Sequence, residues 1–154
     1  MHMGAHVSVP MYQRTVPQRY RLQGLRCRHC GTVIFPPRAF CPACRGAELE
    51  PYPLSGRGRI YSFTVIQGGG APPEFAAQAE ALGSYAVALI DLEEGPRVIA
   101  QMTGCDPASL RLGMPVEAVF RRIYVQEDVI RYGYKFRPCR RSAVPDQDGK
   151  EELV

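Results

Sequence analysis

From Arg59 onward the apolar residues recur with a period of two. "RIYSFTVIQ" (59–67) alternates and is rich in β-branched and aromatic residues, the signature of a strand with one buried face. "SYAVALIDLEE" from Ser84 is apolar on both faces, and its run 86–92, interrupted only by Asp91, predicts a strand covered on both sides. "RVIAQMTG" from Arg97 follows across an acidic Gly-Pro turn. "DPASLRLGMPVEAVFRRI" predicts a short turn or helix and then a strand, and "VIRYGYKFRP" closes the series. In that last strand Ile130, Tyr132, Tyr134 and Phe136 share one face, and Arg131, Gly133, Lys135 and Arg137 share the other. Aromatics inward and cations outward is the simplest arrangement.

Five short strands with one long interruption predict a small five-stranded OB-fold barrel. The spacing of Leu110, Gly113 and Val116 is a frequent entry into a barrel strand of that type. The interruption, "GGGAPPEFAAQAEALG", holds a predicted helix with proline at its start and Phe75, Ala79 and Leu82 at i, i+4 and i+7. That helix is expected to cap the barrel rather than meet a partner. "GGG" lacks the G-K-[ST] of a phosphate loop and reads as a turn.

Upstream the pattern changes. "CRHCGTVIFPPRAFCPAC" (27–44) holds two Cys-x-x-Cys pairs ten residues apart. Each pair makes a tight knuckle, and two knuckles close a tetrahedral sphere of four thiolates with no open position, which is a structural rather than catalytic site. Zinc at Cys27, Cys30, Cys41 and Cys44 is therefore expected; iron in a rubredoxin-like site has the same ligands and is the rival metal, and the short spacer favours a zinc ribbon. His29 inside the first knuckle is expected to be a solvated side chain. "ELEPYPLSGRG" after the second knuckle is punctuated by proline and glycine and suits a linker. The chain thus reads as mainly β: a flexible leader (1–15), a rubredoxin-like zinc ribbon (16–50), the OB-fold (57–138) and a flexible acidic tail (139–154).

Composition narrows the function. A chain of 154 residues with 45% hydrophobic and 22% charged residues has the make-up of a soluble globular protein and is long enough for a core without disulfides. No apolar run approaches the roughly 20 residues of a membrane span. The start lacks the basic and apolar regions of a signal peptide, so a reducing cytoplasm is expected, where paired cysteines favour metal. The net charge of +4 conceals an acidic tail: through Ser142 there are 18 basic against 11 acidic residues, or +7. Arginine supplies 17 of the 19 basic residues; its planar fork suits phosphate and carboxylate, although a GC-rich genome writes the same bias. Nucleophilic catalysis is not expected. Cys105 and Cys139 are unpaired in pattern, and the only histidines are His2, His6 and His29, which leaves no base for a cysteine or serine nucleophile.

The segments "RYRLQGLRCRHCG", "FPPRAFCPAC", "LSGRGRIYSFTVI", "YAVALIDLEEGPRVIAQM", "LRLGMPVEAVFRRI" and "IRYGYKFRP", in this order, resemble the thiolase-associated zinc-ribbon plus OB-fold family. The resemblance spans about residues 16–138, and the long insert after Gln67 and the acidic tail depart from it. It implies an accessory subunit of a thiolase-type or other acyl-CoA enzyme, a hetero-oligomer, with one structural zinc per chain on the four cysteines. It also implies handling of coenzyme A, whose phosphates arginines on a rigid strand can meet. Arg121, Arg122, Lys135 and Arg137 are best placed by pattern for that contact; the alternatives are solvated surface or pairing with acidic residues of the partner. The competing function is a basic OB-fold that binds nucleic acid, which usually mixes aromatics and cations along one groove. Their segregation in the last strand argues against it.

Overall fold

The computed structural model describes residues 9–126 and 129–139. The acidic tail beyond Cys139 lies outside the described residues. Two short helices, α1 (Val9–Arg14) and α2 (Val16–Tyr20), come first, so the expected leader carries α1. A three-stranded antiparallel sheet follows, with β1 (Gln23–Cys27) between β2 (Val33–Ile34) and β3 (Leu49–Pro53). The segment expected as a linker is this third strand. Pro51 and Pro53 are tolerated because β3 is an edge strand, where a missing N–H costs no ladder bond.

The second sheet holds β4 (Arg57–Gln67), β5 (Ser84–Leu92), β6 (Arg97–Gln101), β7 (Pro115–Gln126) and β8 (Val129–Pro138). Its order is β6-β5-β4-β7-β8, every neighbouring pair is antiparallel, and a parallel bridge between Met102 and Phe136 closes the edges. This is a five-stranded barrel. Leu110 and Val116 are buried as their spacing predicts; between them the Gly113 amide donates to the Ile60 carbonyl at 2.8 Å, and the Ile60 amide to that of Met114 at 3.1 Å. On β5 one face is closed throughout, and the other only at Tyr85, which the insert covers. Ala86, Ala88, Ile90 and Leu92 are buried, whereas Val87, Leu89 and Asp91 are half-buried, so the expected double cover is incomplete.

The insert forms α3 (Ala76–Leu82), preceded by two 3-10 turns. It packs on the barrel as a cap, through Ala79, fully buried, and through Phe75, whose ring lies 6.0 Å from Tyr85 and 5.5 Å from Tyr124. Leu82 does not join them; α3 ends there at Gly83, and the side chain is 65% exposed.

Ribbon and barrel share one core. Leu22 and Leu54, which flank β1 and β3, are buried in the same cluster as Ile60, Ile90 and Phe136, with Phe35 and Tyr52 packed against it. Gly56 makes the turn between the two sheets at φ +74°, its carbonyl accepts the Ala118 amide at 2.7 Å, and a Cβ there would sit 2.7 Å from the Ala118 Cβ. Gly56→Ala is expected to destabilise the protein by about 2 to 4 kcal/mol, from left-handed strain plus overpacking. Urea denaturation of the zinc-loaded chain measures it.

Candidate functional site

Both knuckles use the same local geometry. The Gly31 amide donates to the Cys27 carbonyl at 2.9 Å and the Arg45 amide to that of Cys41 at 2.8 Å; the Cys27 and Cys41 amides bond Thr32 and Gly46 carbonyls at 2.9 Å each. The residue after each pair is left-handed, Gly31 at φ +74° and Arg45 at φ +60°. Glycine takes that conformation freely, and arginine does so at a cost. The four sulfurs of Cys27, Cys30, Cys41 and Cys44 all lie within 4.8 Å of one another. Cys27–Cys44 and Cys30–Cys41 are each 3.6 Å apart, close to the about 3.8 Å edge of a tetrahedron with Zn–S bonds of about 2.3 Å. His29 is exposed and outside the cluster.

The electrostatics call for a cation. The Thr32 hydroxyl, and then its backbone, hold Cys30 down at about 6. At Cys44 the Gly46 backbone favours the thiolate, but Cys30 and burial outweigh it and push the thiol up to about 12. A divalent ion removes this conflict, because coordinated thiols deprotonate. A Cβ at Gly46 would lie 3.3 Å from the Cys44 sulfur, so the backbone passes close over the site. The quartet fits zinc, which all four cysteines would hold in a closed sphere.

The four candidate cations do not stay together. Arg137 is half-buried and paired with Glu117 at 2.7 Å. Arg121 is exposed and donates to the Phe120 carbonyl at 2.9 Å. Lys135, expected to face solvent, is only 7% exposed, and its ammonium donates to Gln78 Oε1 of α3 at 3.3 Å. It lines, with Arg122, a cavity of about 770 Å³ between α3 and the strands. The register shift between Arg122 and Tyr124 marks a bulge, a device that re-aims side chains. Burial, and then the neighbouring Arg122 charge, lower the Lys135 pKa.

The aromatic face of β8 also differs from expectation. Phe136 is 1% exposed, Tyr134 is half-buried, Tyr132 is 38% exposed and Ile130 42%. The cause is sheet geometry: β4 pairs with β7 only across 57–59, while β7 and β8 pair along their length. Beyond the barrel one face of this hairpin lies open. There Phe120 stacks on Tyr132 at 5.8 Å and meets Tyr134 at 5.6 Å and Tyr20 of α2 at 5.3 Å. A cavity of about 370 Å³, walled in part by Leu22, Phe35, Val98 and Ile123, opens beside this patch. Strand periodicity misses the patch because it tells which residues share a face, not where the neighbouring strand stops.

Cys105 is half-buried, and burial and then Asp106 push its thiol up. Of the three histidines only His29 lies among the described residues. No nucleophile–base pair is present among those residues.

The purified chain is expected to carry about one colourless zinc, and Cys41→Ser to lose it and loosen the ribbon. Metal analysis and amide exchange over 16–53 measure both, and a red, redox-active iron centre would overturn the assignment. Arg45→Gly, which relieves the left-handed strain, is expected to stabilise the zinc-loaded chain by about 1 kcal/mol in urea denaturation.

Two family models match in tandem: ChsH2, rubredoxin-like zinc ribbon domain, over residues 14–50, and ChsH2, C-terminal OB-fold domain, over 51–121. A DUF35 domain-containing scaffold protein of Methanocaldococcus jannaschii is 48% identical, over 81% of this chain and 86% of that protein. Benzoylsuccinyl-CoA thiolase subunit BbsA of Thauera aromatica is 38% identical over 75% of each chain. Among solved structures, a chain of the Ltp2-ChsH2(DUF35) aldolase superposes with a TM-score of 0.64 at 27% identity, over 88% of this chain and 98% of that one. With the closed cysteine quartet and the five-stranded barrel, these matches establish that the chain belongs to the DUF35 family of ChsH2-type zinc-ribbon/OB-fold proteins.

Proposed function

We propose that this chain is a non-catalytic subunit that docks on a thiolase-type acyl-CoA enzyme, is needed for its assembly, and helps handle the coenzyme A part of the substrate. Acyl transfer or thiolytic carbon–carbon cleavage is then performed by the partner's nucleophile. The observation that carries this reading is the open aromatic face around Phe120 and Tyr132, set beside an apolar cavity. Interface cores are enriched in tyrosine, phenylalanine and arginine, and pockets beside them accept the partner's anchor residues. The four-cysteine site has no position left for a substrate, and the described residues hold no catalytic pair. The relatives named as a thiolase subunit and as scaffold proteins support the same reading.

Nucleic-acid binding is the competing function. The expectation that its aromatics are all core is not met, since Tyr132 is exposed. Yet Phe120 is packed against Tyr132, Tyr134 and Tyr20, so its ring is engaged within a cluster rather than standing as a separate platform for a base. Bases need free ring faces.

The native chain is expected to co-purify with a thiolase-type subunit and to raise its rate, and to turn over no acyl-CoA thioester alone. Tyr132→Glu is expected to weaken that association at least tenfold while zinc content and the melting transition stay unchanged. Robust turnover by the isolated chain contradicts the proposal. So does association that is sequence-indifferent for single-stranded nucleic acid and falls steeply with salt.

A further inference from the structure

We infer that the seam between β6 and β8 takes an extended segment of the partner subunit as an added strand on β6, with an apolar side chain of that segment in the cavity of about 370 Å³ and a carboxylate beside Arg19 and Arg131. This rests on the docking reading above and deepens it. Three features lead there. The first is a pair of open edges. β6 and β8 end the strand order, and between them the described residues form only the Met102–Phe136 bridge, with the Thr103 amide donating to the Phe136 carbonyl at 2.8 Å. The Leu92 amide donates to the Pro96 carbonyl at 3.0 Å, and the Met102 amide to that of Ala86 at 2.8 Å. Backbone direction alternates along an antiparallel ladder, so residues 96, 98, 100 and 102 turn toward β5, while Arg97 and Ile99 turn their N–H and C=O groups away from it.

The second feature is where the cavity lies. It is lined by residues 98–100 of β6 and 131–134 of β8. Successive side chains of a strand point to opposite faces, so a cavity met by consecutive residues of both strands abuts their edges rather than one face of the sheet. Nor is the edge guarded. Ile99 is 72% exposed, and Arg97, the kind of charge that blunts an edge, is held on the outer sheet face by Asp91 at 2.6 Å and lies 3.4 Å from the centre of the Tyr61 ring. The third feature is charge. Arg19 and Arg131 line the cavity, and among the described residues no carboxylate does. A second copy would bring the same cations face to face, whereas an acidic segment of the partner complements them. Tyr132 belongs both to this wall and to the ring cluster of Phe120, so an added strand continues the aromatic docking face. In such additions backbone pairing supplies affinity and the side-chain pocket supplies specificity.

Ile99→Pro tests the pairing itself. Proline removes only the outward N–H, which lies off the β5 ladder, so an edge strand tolerates it; Ile99→Thr keeps that N–H and the β-branched shape. In the complex with the thiolase-type subunit, Ile99→Pro is expected to weaken association about tenfold and Ile99→Thr less than about threefold, with zinc content and the melting transition unchanged. Arg131→Glu is expected to weaken it about tenfold. Should Ile99→Pro fail to fold, amide exchange of the parent chain carries the test: the Arg97 and Ile99 amides are expected to exchange about tenfold more slowly in the complex than in the free chain. If the subunit binds while those amides exchange as in the free chain, or if the proline and threonine variants lose it equally, or if Arg131→Glu binds as the parent does, docking stands and the inference is wrong. Protection that appears without the partner, and that vanishes on truncation after Ser142 or grows with the concentration of the chain, also overturns it, by giving the edge to the acidic tail or to a second copy. If no such subunit associates at all, the docking reading falls as well.

Discussion

Four sulfurs converging on one point are what the amino-terminal half depends on. The ribbon's own apolar cluster has three buried members, Cys27, Ile34 and Cys41, and two of these are the ligands themselves. So small a core cannot order three short strands, whereas zinc binding in small fingers is worth about 10 to 16 kcal/mol and is itself folding free energy. The knuckles then fix β1 against β3 in the register that pairs Cys27 with Leu49 and Gln23 with Pro53. That register delivers Leu22 and Leu54 together into the barrel core, joined by the Leu54 amide donating to the Leu22 carbonyl at 3.1 Å. Docking the ribbon also docks α2, because the Tyr134 hydroxyl donates to the Tyr20 carbonyl at 3.0 Å. The metal therefore acts on the far side of the barrel through packing rather than through charge.

A second constraint is the length of the β7–β8 hairpin. Once past the three residues that pair with β4, it is a two-stranded ribbon, an arrangement of marginal stability by itself. Something must cover it. On one face α2 supplies Tyr20 to the ring cluster centred on Phe120. Elsewhere the insert supplies Phe75 against Tyr124 and Gln78 to Lys135. Short helices cannot seal so long a hairpin, and a cavity lies beside each of α2 and α3.

Much of this was legible in the sequence, for reasons that also mark the limits. A period of two reports backbone extension directly, so the five barrel strands and their order along the chain can be read from residues such as Ile60, Val98 and Val116. Cys-x-x-Cys spacing reports knuckle geometry just as directly. Failures came where the deciding partner is remote in sequence. Lys135 belongs by period to an outward face, but its cover is Gln78, 57 residues earlier. Tyr132 shares a face with Phe136, and only the short reach of β4 leaves it open. Prolines in "EPYPL" resemble a linker until the strand is known to be an edge, and Leu82 has the right helical spacing but follows the last turn that touches the barrel.

The placement of charge gives the last step. Surface arginines in this chain find carboxylates where they can: Arg28 with Glu50, Arg97 with Asp91, Arg137 with Glu117. Such pairs are exposed or half-exposed and contribute little to stability. The buried Lys135 ammonium has none among the described residues, and it lies beneath the segment that departs from the family pattern. The aromatic face and the Lys135 face are the two sides of one hairpin, since successive side chains of a strand point to opposite faces. A group that orders the hairpin from one side thus lowers the entropy cost of ordering it from the other, and by linkage the effect is mutual. That shared hairpin is therefore the element through which whatever covers its aromatic face and whatever covers its Lys135 face are physically coupled.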